Sequence, residues 1–144
     1  MIDSAITDNK WIHPSGHGVD GFGWQPISSA LLRQHLAYVS GKKTVVWVDT
    51  MANVARYIAE CDAAQLTLSL DSNGNRSFTV QCPGLDAAIY TMPLTIRFEM
   101  GGNITPTSAK AVRGATSLPI LALNPGVILI DVVPGPGAVT VTYQ

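Results

Sequence analysis

The stretch "LTLSLDSNGNRSFTVQC" (Leu66 to Cys82) decides the fold of the second half of this 144-residue chain. Two strand-like runs, "LTLSLD" and "RSFTVQC", flank the four residues Ser72-Asn73-Gly74-Asn75. An Asn-Gly pair favours the positive φ angles that a tight hairpin turn requires. The stretch therefore predicts an antiparallel β-hairpin.

Further strand-like runs follow the hairpin, with Pro and Gly at the breaks between them, at the spacing typical of an antiparallel sandwich. They are "PLTIRFEM", "SAKAVRG", "LPILALN", "VILIDVV" and "AVTVTYQ". With the hairpin they predict about seven strands. The apolar run "VILIDVV" is expected to lie centrally in its sheet, with its single carboxylate, Asp131, near the strand end or facing out.

Before residue 63 the pattern is helical instead. Start signals around Ser28 and a stop at Gly41 predict one helix over about residues 28 to 40. Thr50 is a plausible N-cap for a second helix that ends at Glu60 or Asp62. The apolar residues at helical spacing are Leu32, Leu36 and Val39 in the first helix, and Met51, Val54, Ile58 and Cys61 in the second.

Two runs in this first part read as strands. "KWIH" (residues 10–13) precedes the first helix, and the β-branched run "TVVWVDT" (residues 44–50) is typical of a strand buried on both sides. The order strand, loop, helix, strand, helix is that of an α/β unit. The sequence therefore predicts an α+β chain, with a short α/β segment at 1–62 and an antiparallel β-sandwich at 63–144.

Composition limits the classes of function. The chain is 47% apolar and 13% charged, which is typical of a folded domain. A net charge of −1 with scattered Lys and Arg gives no basic patch for DNA or RNA. No apolar run reaches the roughly 18 residues of a membrane span, and the N-terminus lacks a signal-peptide pattern. We expect a soluble chain with neither a nucleic-acid nor a membrane partner.

The two cysteines, Cys61 and Cys82, are too few for a four-thiolate metal site and lack the spacing of a redox pair. Two small buried residues are the favoured interpretation. A disulfide between them is the alternative if the parent protein is secreted.

A family resemblance begins at His17 and continues to Glu60, over about a third of the chain. The features that carry it, in order, are His17-Gly18, Asp20-Gly21-x-Gly23-Trp24, Pro26-Ile27-Ser28, Leu36-x-Tyr38, Trp47-Val48-x-Thr50 and Val54-Ala55-Arg56-Tyr57-Ile58. This order resembles the C-terminal end of the polysaccharide deacetylases, the NodB-like carbohydrate esterases. The run "LDAAIYTMPLTIRFEM" is similar to a β-rich tail found behind the catalytic domain in some members.

The resemblance implies a distorted (β/α) barrel that removes acetyl groups from sugar polymers, in a family whose members are often secreted. It implies a divalent metal held by an aspartate and two histidines, an N-terminal aspartate as base, and a histidine on a late strand as acid. Only the last of these carries over to this chain, at His17. The motifs for the metal and the base are not in this sequence. The resemblance therefore implies a truncated deacetylase end followed by its tail domain.

The residues around His17 suggest three kinds of site. Two imidazoles and a carboxylate, from His13, His17 and Asp20, are the ligands of an open site for zinc or another divalent metal. "HPSGH" is also similar to the paired-histidine motif of the same family, although Pro14 and Gly16 argue against a helical zinc motif. The bland alternative is a polar loop in which one histidine caps a helix or contacts solvent.

His17 is a suitable general acid, because an imidazole near neutral pKa can protonate a leaving alkoxide. If the chain is an enzyme, we expect metal-dependent hydrolysis of acetyl or similar small esters centred on His17, with His13 and Asp20 assisting. Ser15, adjacent to His17, suggests a serine-type esterase, although the string does not match the Gly-x-Ser-x-Gly elbow. His35 is expected to be a packing or interface residue.

Non-enzymatic functions belong to the β-rich half. A carbohydrate-associated sandwich could bind glycan through exposed rings, for which the sequence offers Phe78, Tyr90, Phe98 and Tyr143. A structural module is the simpler alternative. If "KWIH" and "TVVWVD" are strands that have lost their neighbours, their open edges predict a homo-oligomer.

Overall fold

The computed structural model describes residues 1–70, 74–101 and 104–144. Contacts divide the chain into two compact units, Met1–Met51 and Ala52–Gln144. The secondary structure changes from helix to strand just after Ala63, at the boundary that sequence patterning indicates.

The first unit is built on two helices, α1 (Ile2–Asp8) and α2 (Ser29–Ser40). The bounds of α2 confirm the predicted helix, and the Ser28 hydroxyl caps it by accepting the N–H of Leu31 at 3.2 Å. Helix α1 was not expected from the sequence. The hydroxyl of Tyr38 on α2 donates to the carboxylate of Asp3 on α1, so the two helices are tied together.

The two strands expected in the first unit are not formed. Residues 10–13 and 46–50 have no regular structure, and Val45 and Val48 are more than half exposed. A strand is stabilised by hydrogen bonds to a neighbouring strand, and the described part of this unit has only a single parallel bridge, between Val19 and Ile27. The two predicted strands are therefore wrong, because β-branched composition does not provide a pairing partner.

The second predicted helix is confirmed as α3 (Met51–Ala63). The face of α3 that is buried differs from the face that the sequence predicts to be buried. Val54 and Glu60 are buried and Tyr57 packs against the core, whereas Ile58 and Cys61, which were expected to face inward, are exposed. The core-facing side thus includes a glutamate.

The β-rich half contains two antiparallel sheets within the described residues. A five-stranded sheet has the order β1-β2-β8-β4-β5, and a three-stranded sheet has the order β3-β7-β6. The strands are β1 (Gln65–Leu70), β2 (Arg76–Gln81), β3 (Leu94–Glu99), β4 (Ala109–Arg113), β5 (Thr116–Leu118), β6 (Ile120–Asn124), β7 (Val127–Val132) and β8 (Gly135–Tyr143).

The inner faces of both sheets contribute to one apolar core, which confirms an α+β fold with a β-sandwich. Its fully buried centre includes Phe78 and Val139 from the larger sheet and Ile128 and Ile130 from the smaller one. As expected, β7 is central in its sheet. Asp131 lies one residue before the end of β7, where it accepts a hydrogen bond from Thr95 at 2.7 Å.

One predicted strand, "LPILALN", is divided in two. Leu118 ends β5 in the larger sheet, and Ile120 begins β6 in the smaller sheet. The intervening Pro119 has no N–H to donate to a strand ladder. The chain therefore changes sheets at this proline.

The predicted hairpin is confirmed, because β1 pairs with β2 from Gln65 opposite Gln81 to Leu70 opposite Arg76. Of its predicted turn, Ser72 and Asn73 lie outside the described residues, and Gly74 has the positive φ that the Asn-Gly pair predicts, 79°.

Strand β1 is exposed at every residue. Leu66 and Leu68 lie opposite Val80 and Phe78, which are buried, so these leucines are on the core-facing side of their sheet. Yet Leu66, Leu68 and Leu70 are 49%, 74% and 68% exposed. The edge of the sandwich is therefore open and apolar along β1. None of the helices in the described ranges is long and apolar enough to cross a membrane.

Candidate functional site

The segment from Gly16 to Ser29, which contains His17 and is called the histidine loop below, folds back on itself through its backbone. The N–H of Ile27 donates to the carbonyl of Gly18 at 2.9 Å, and the N–H of Asp20 donates to the carbonyl of Ile27 at 3.1 Å. A Cβ at Gly18 would lie 1.8 Å from the carbonyl oxygen of Phe22. Because that contact is to backbone, the loop requires glycine at this position.

Asp20 joins this loop to helix α2. Its carboxylate Oδ1 accepts the backbone N–H of Ser29 at 2.8 Å, and its own backbone is left-handed, with φ 52°. Hydrogen bonding from Ser29, first by its backbone and then by its side chain, lowers the pKa of Asp20. An ionised carboxylate at a helix N-terminus is also favoured by the helix dipole. The structure thus gives Asp20 the role of anchoring the loop.

His17 lies on the surface of the loop, where Trp24 contacts it. The two rings meet edge to face, with centroids 5.0 Å apart and planes at 74°. His17 is exposed, and the Trp24 ring is 68% exposed. One aromatic contact therefore orients an imidazole that solvent or a ligand can reach.

His13 and Ser15, the other residues expected at a site here, are both exposed. His35 is half-buried on α2, in keeping with a packing residue. The carboxylate that would orient a Ser15–His17 pair belongs to Asp20, which is already bonded to Ser29. The structure therefore orients His17 within its loop, and it leaves both His13 and Ser15 exposed.

The metal that the family resemblance implies needs three side-chain ligands converging at about 2.0–2.2 Å. Within residues 1–70, 74–101 and 104–144, no three His, Cys, Asp or Glu side chains are grouped so that they could hold a metal ion. In this arrangement, His13, His17 and Asp20 do not fit a three-ligand site.

A second polar feature, which sequence reasoning missed, lies in the other unit. The Glu60 carboxylate is fully buried, and both of its oxygens accept the backbone N–H of Met92 at 3.1 Å. Burial raises its pKa, while the Met92 bond and the charge of Arg56 lower it by less. In the sequence, the helical spacing of Glu60 with Val54 and Tyr57 indicates that these three residues share one face of α3.

The rings considered for glycan binding are mostly part of the core. Phe78 and Phe98 are buried and pack against each other, and Tyr143 packs edge to face on Phe98 with centroids 6.3 Å apart. Tyr90 lines a cavity of about 200 Å³ beside Cys82. Phe78 and Phe98 therefore belong to the core, where aromatic residues on strands more often lie, and are not available to a glycan platform.

The exposed aromatic side chains of the histidine loop are Phe22 and Trp24. No protein-family model, no curated protein and no solved structure matches this chain.

Proposed function

We propose that this chain is part of a polysaccharide deacetylase-like carbohydrate esterase, and that His17 donates a proton in the hydrolysis of acetyl or other small esters. The observation that carries the proposal is the exposed His17 imidazole, oriented by Trp24 in a loop that Gly18 and Asp20 hold in place. The resemblance of this loop to the late-strand histidine motif of that family supports the same role.

The chemistry assigned to His17 is general acid catalysis. Water attacks the ester carbonyl, and the protonated imidazole donates its proton to the departing sugar oxygen, so that an alcohol leaves instead of an alkoxide. The proton that the attacking water loses returns the imidazole to its protonated form. Such proton transfer contributes about 10²–10⁴-fold to a rate. The exposed rings of Phe22 and Trp24 offer apolar surface in the same loop, against which the apolar face of a sugar can lie.

The family's metal would polarise the acetyl carbonyl. Since His13, His17 and Asp20 do not fit a three-ligand site as arranged, the proposal rests on His17 alone. It predicts slow turnover that does not depend on a metal.

The test is hydrolysis of a chromogenic acetate ester by the full chain, with His17→Ala as the variant and His35→Ala as the matched control. We expect the rate above background to fall by at least tenfold in His17→Ala and to stay unchanged in His35→Ala. Equal rates in all three proteins would overturn the esterase proposal.

A chelator distinguishes the two forms of the enzyme hypothesis. Under the proposal, EDTA leaves the His17-dependent rate unchanged. If EDTA removes that rate and zinc restores it, the metal-dependent alternative with ligands at His13 and His17 replaces the metal-free one. A further variant, Ser15→Ala, tests the serine-type alternative, which requires loss of activity in that variant.

A non-catalytic function is favoured by a different observation, the uncovered leucines of β1. As the second candidate we propose a structural or carbohydrate-associated sandwich that assembles by pairing β1 with a second copy of itself. In a two-fold antiparallel pair centred on Leu68, Leu66 lies opposite Leu70 of the partner subunit. Directly opposite residues share a face, so all three leucines of each copy would meet on the core-facing side.

The size of this interface sets its strength. A standard interface buries about 800 Å² on each partner, and a six-residue strand edge spans only about 20 Å. Pairing through β1 alone is therefore expected to give a weak, concentration-dependent dimer.

A further inference from the structure

The end of helix α3 lies against the end of strand β2. The thiol of Cys82 donates a hydrogen bond to the carbonyl oxygen of Glu60, with a distance of 3.3 Å between sulfur and oxygen. Glu60 immediately precedes Cys61 in the chain. The chain's two cysteines, which are 21 residues apart in sequence (82 − 61), therefore meet at this point.

Covalent geometry limits how far apart they are. A carbonyl oxygen lies about 2.8 Å from the Cα of the next residue across a trans peptide. The Cys82 sulfur is therefore within about 6 Å of the Cys61 Cα. Cα atoms joined by a disulfide are usually about 4.4–6.8 Å apart and their Cβ atoms about 3.5–4.5 Å apart, so the bond requires the two side chains and the strand end to move until they reach these distances.

The surroundings of the two thiols differ. Cys61 is exposed, and it is hydrogen-bonded to the Tyr57 hydroxyl. Cys82 is half-buried, and burial raises the pKa of its thiol, with smaller contributions from the charges of Glu60 and Cys61. Both thiols are free in the structure.

We propose that Cys61 and Cys82 form a disulfide within one chain when the protein meets a small-molecule disulfide such as oxidised glutathione, and that this bond links α3 to β2 under oxidising conditions. Cys61 is the entry point, because an exposed thiol is the one that a soluble disulfide can reach.

The exchange takes place in two balanced steps. The Cys61 thiolate attacks one sulfur of oxidised glutathione, which forms a mixed disulfide and releases the first glutathione as a thiol. The Cys82 thiolate then attacks the Cys61 sulfur, which forms the protein disulfide and releases the second glutathione. Two protein thiols are oxidised and one glutathione disulfide is reduced, and the two thiol protons end on the two glutathione molecules.

The test treats the full chain with oxidised glutathione and measures the intact mass. For the wild type we expect a monomer that has lost two hydrogen atoms and that no longer reacts with maleimide, and dithiothreitol should restore both thiols. Cys82→Ser should stop at the mixed disulfide, with one glutathione on Cys61. Cys61→Ser should keep its half-buried thiol unmodified under the same conditions.

Three results would overturn the proposal. One is a wild type that accumulates the mixed disulfide as fully as Cys82→Ser does, since the second step would then be missing. The others are a wild type in which neither thiol reacts, and a disulfide that joins two chains. Because Cys→Ser variants can be destabilised, circular dichroism of each reduced variant is recorded first, and the wild-type result is decisive by itself.

Discussion

At the scale of single residues, Glu60 carries the clearest pH dependence. Burial raises the pKa of this carboxyl in the folded chain above its ordinary value of 4.5. The folded state therefore holds the proton more tightly than the unfolded state, and the stability that this gives is present below pH 4.5 and is lost as the pH rises through the raised pKa. Ionisation of Glu60 therefore lowers the free energy of unfolding at neutral pH.

The matching prediction is that Glu60→Gln stabilises the protein at pH 7. The glutamine oxygen keeps an acceptor for the Met92 N–H without a buried charge, so we expect the free energy of unfolding to rise by about 1 kcal/mol at pH 7. The gain should disappear near pH 4. Urea unfolding at the two pH values measures it, and a variant that is less stable than the wild type at pH 7 would contradict the assigned direction.

Gly18 is the residue on which the shape of the histidine loop depends most directly. In Gly18→Ala the new Cβ would collide with the Phe22 carbonyl, so the loop must open. A backbone clash of this kind costs about 1–3 kcal/mol. We expect reduced thermal stability of the first unit, together with loss of the His17-dependent ester hydrolysis.

Gly16→Ala is the matched control, because nothing lies within 4 Å of a Cβ at that position and its φ is not positive. It should leave both the stability and the rate unchanged. If Gly18→Ala behaved like Gly16→Ala in both measurements, the loop would not need the conformation described above.

At the scale of elements, we expect substitutions of buried residues in β7 to lower the free energy of unfolding most. Ile130 is fully buried between the sheets, and truncation of such a residue to alanine typically costs about 2–5 kcal/mol. We expect Ile130→Ala to lower the urea midpoint of the β-sandwich by a corresponding amount. Leu121→Ala on β6, where the side chain is more than half exposed, is the control and should change the midpoint little.

The elements also show why sequence reasoning succeeded in one half and failed in the other. In antiparallel strands such as β2 and β3, apolar residues alternate along the strand and turn residues follow it. Because these patterns are visible in a short stretch of sequence, the hairpin and the sandwich were predictable. Residues 44–50 have strand-like composition, but a strand also needs a neighbour, and a single short segment cannot show whether one exists. Local signals therefore predicted the sandwich better than the first unit.

The same distinction applies to the candidate site. His17 and its glycine-rich loop were predictable from residue types, because glycine and aspartate mark tight turns and helix caps. The 2.8 Å bond of Asp20 to Ser29 was not, since catalysis and helix capping use the same type of side chain. The proximity of Cys61 to Cys82 depends on how α3 packs on β2, which is a long-range contact.

At the scale of the whole molecule, the open edge of the sandwich is the place where we propose that two copies pair. The strand edges from which sequence analysis predicted an oligomer do not form, but β1 presents its own edge, with three exposed leucines facing the core side. An unprotected apolar edge strand tends to pair with another chain. The proposed two-fold pairing brings each Leu68 against the same residue of the partner, at the centre of the interface.

We therefore expect the mass measured by light scattering to rise from monomer toward dimer as the protein concentration increases. Leu68→Lys should hold the protein as a monomer at all these concentrations, because the pairing would place two ammonium groups side by side on an apolar surface. Leu36→Lys, which changes a leucine on α2 that is also more than half exposed, should leave the association as it is in the wild type. Two results would exclude β1 as the contact between copies. One is a wild type that stays monomeric at every concentration, and the other is a dimer that both lysine variants weaken equally.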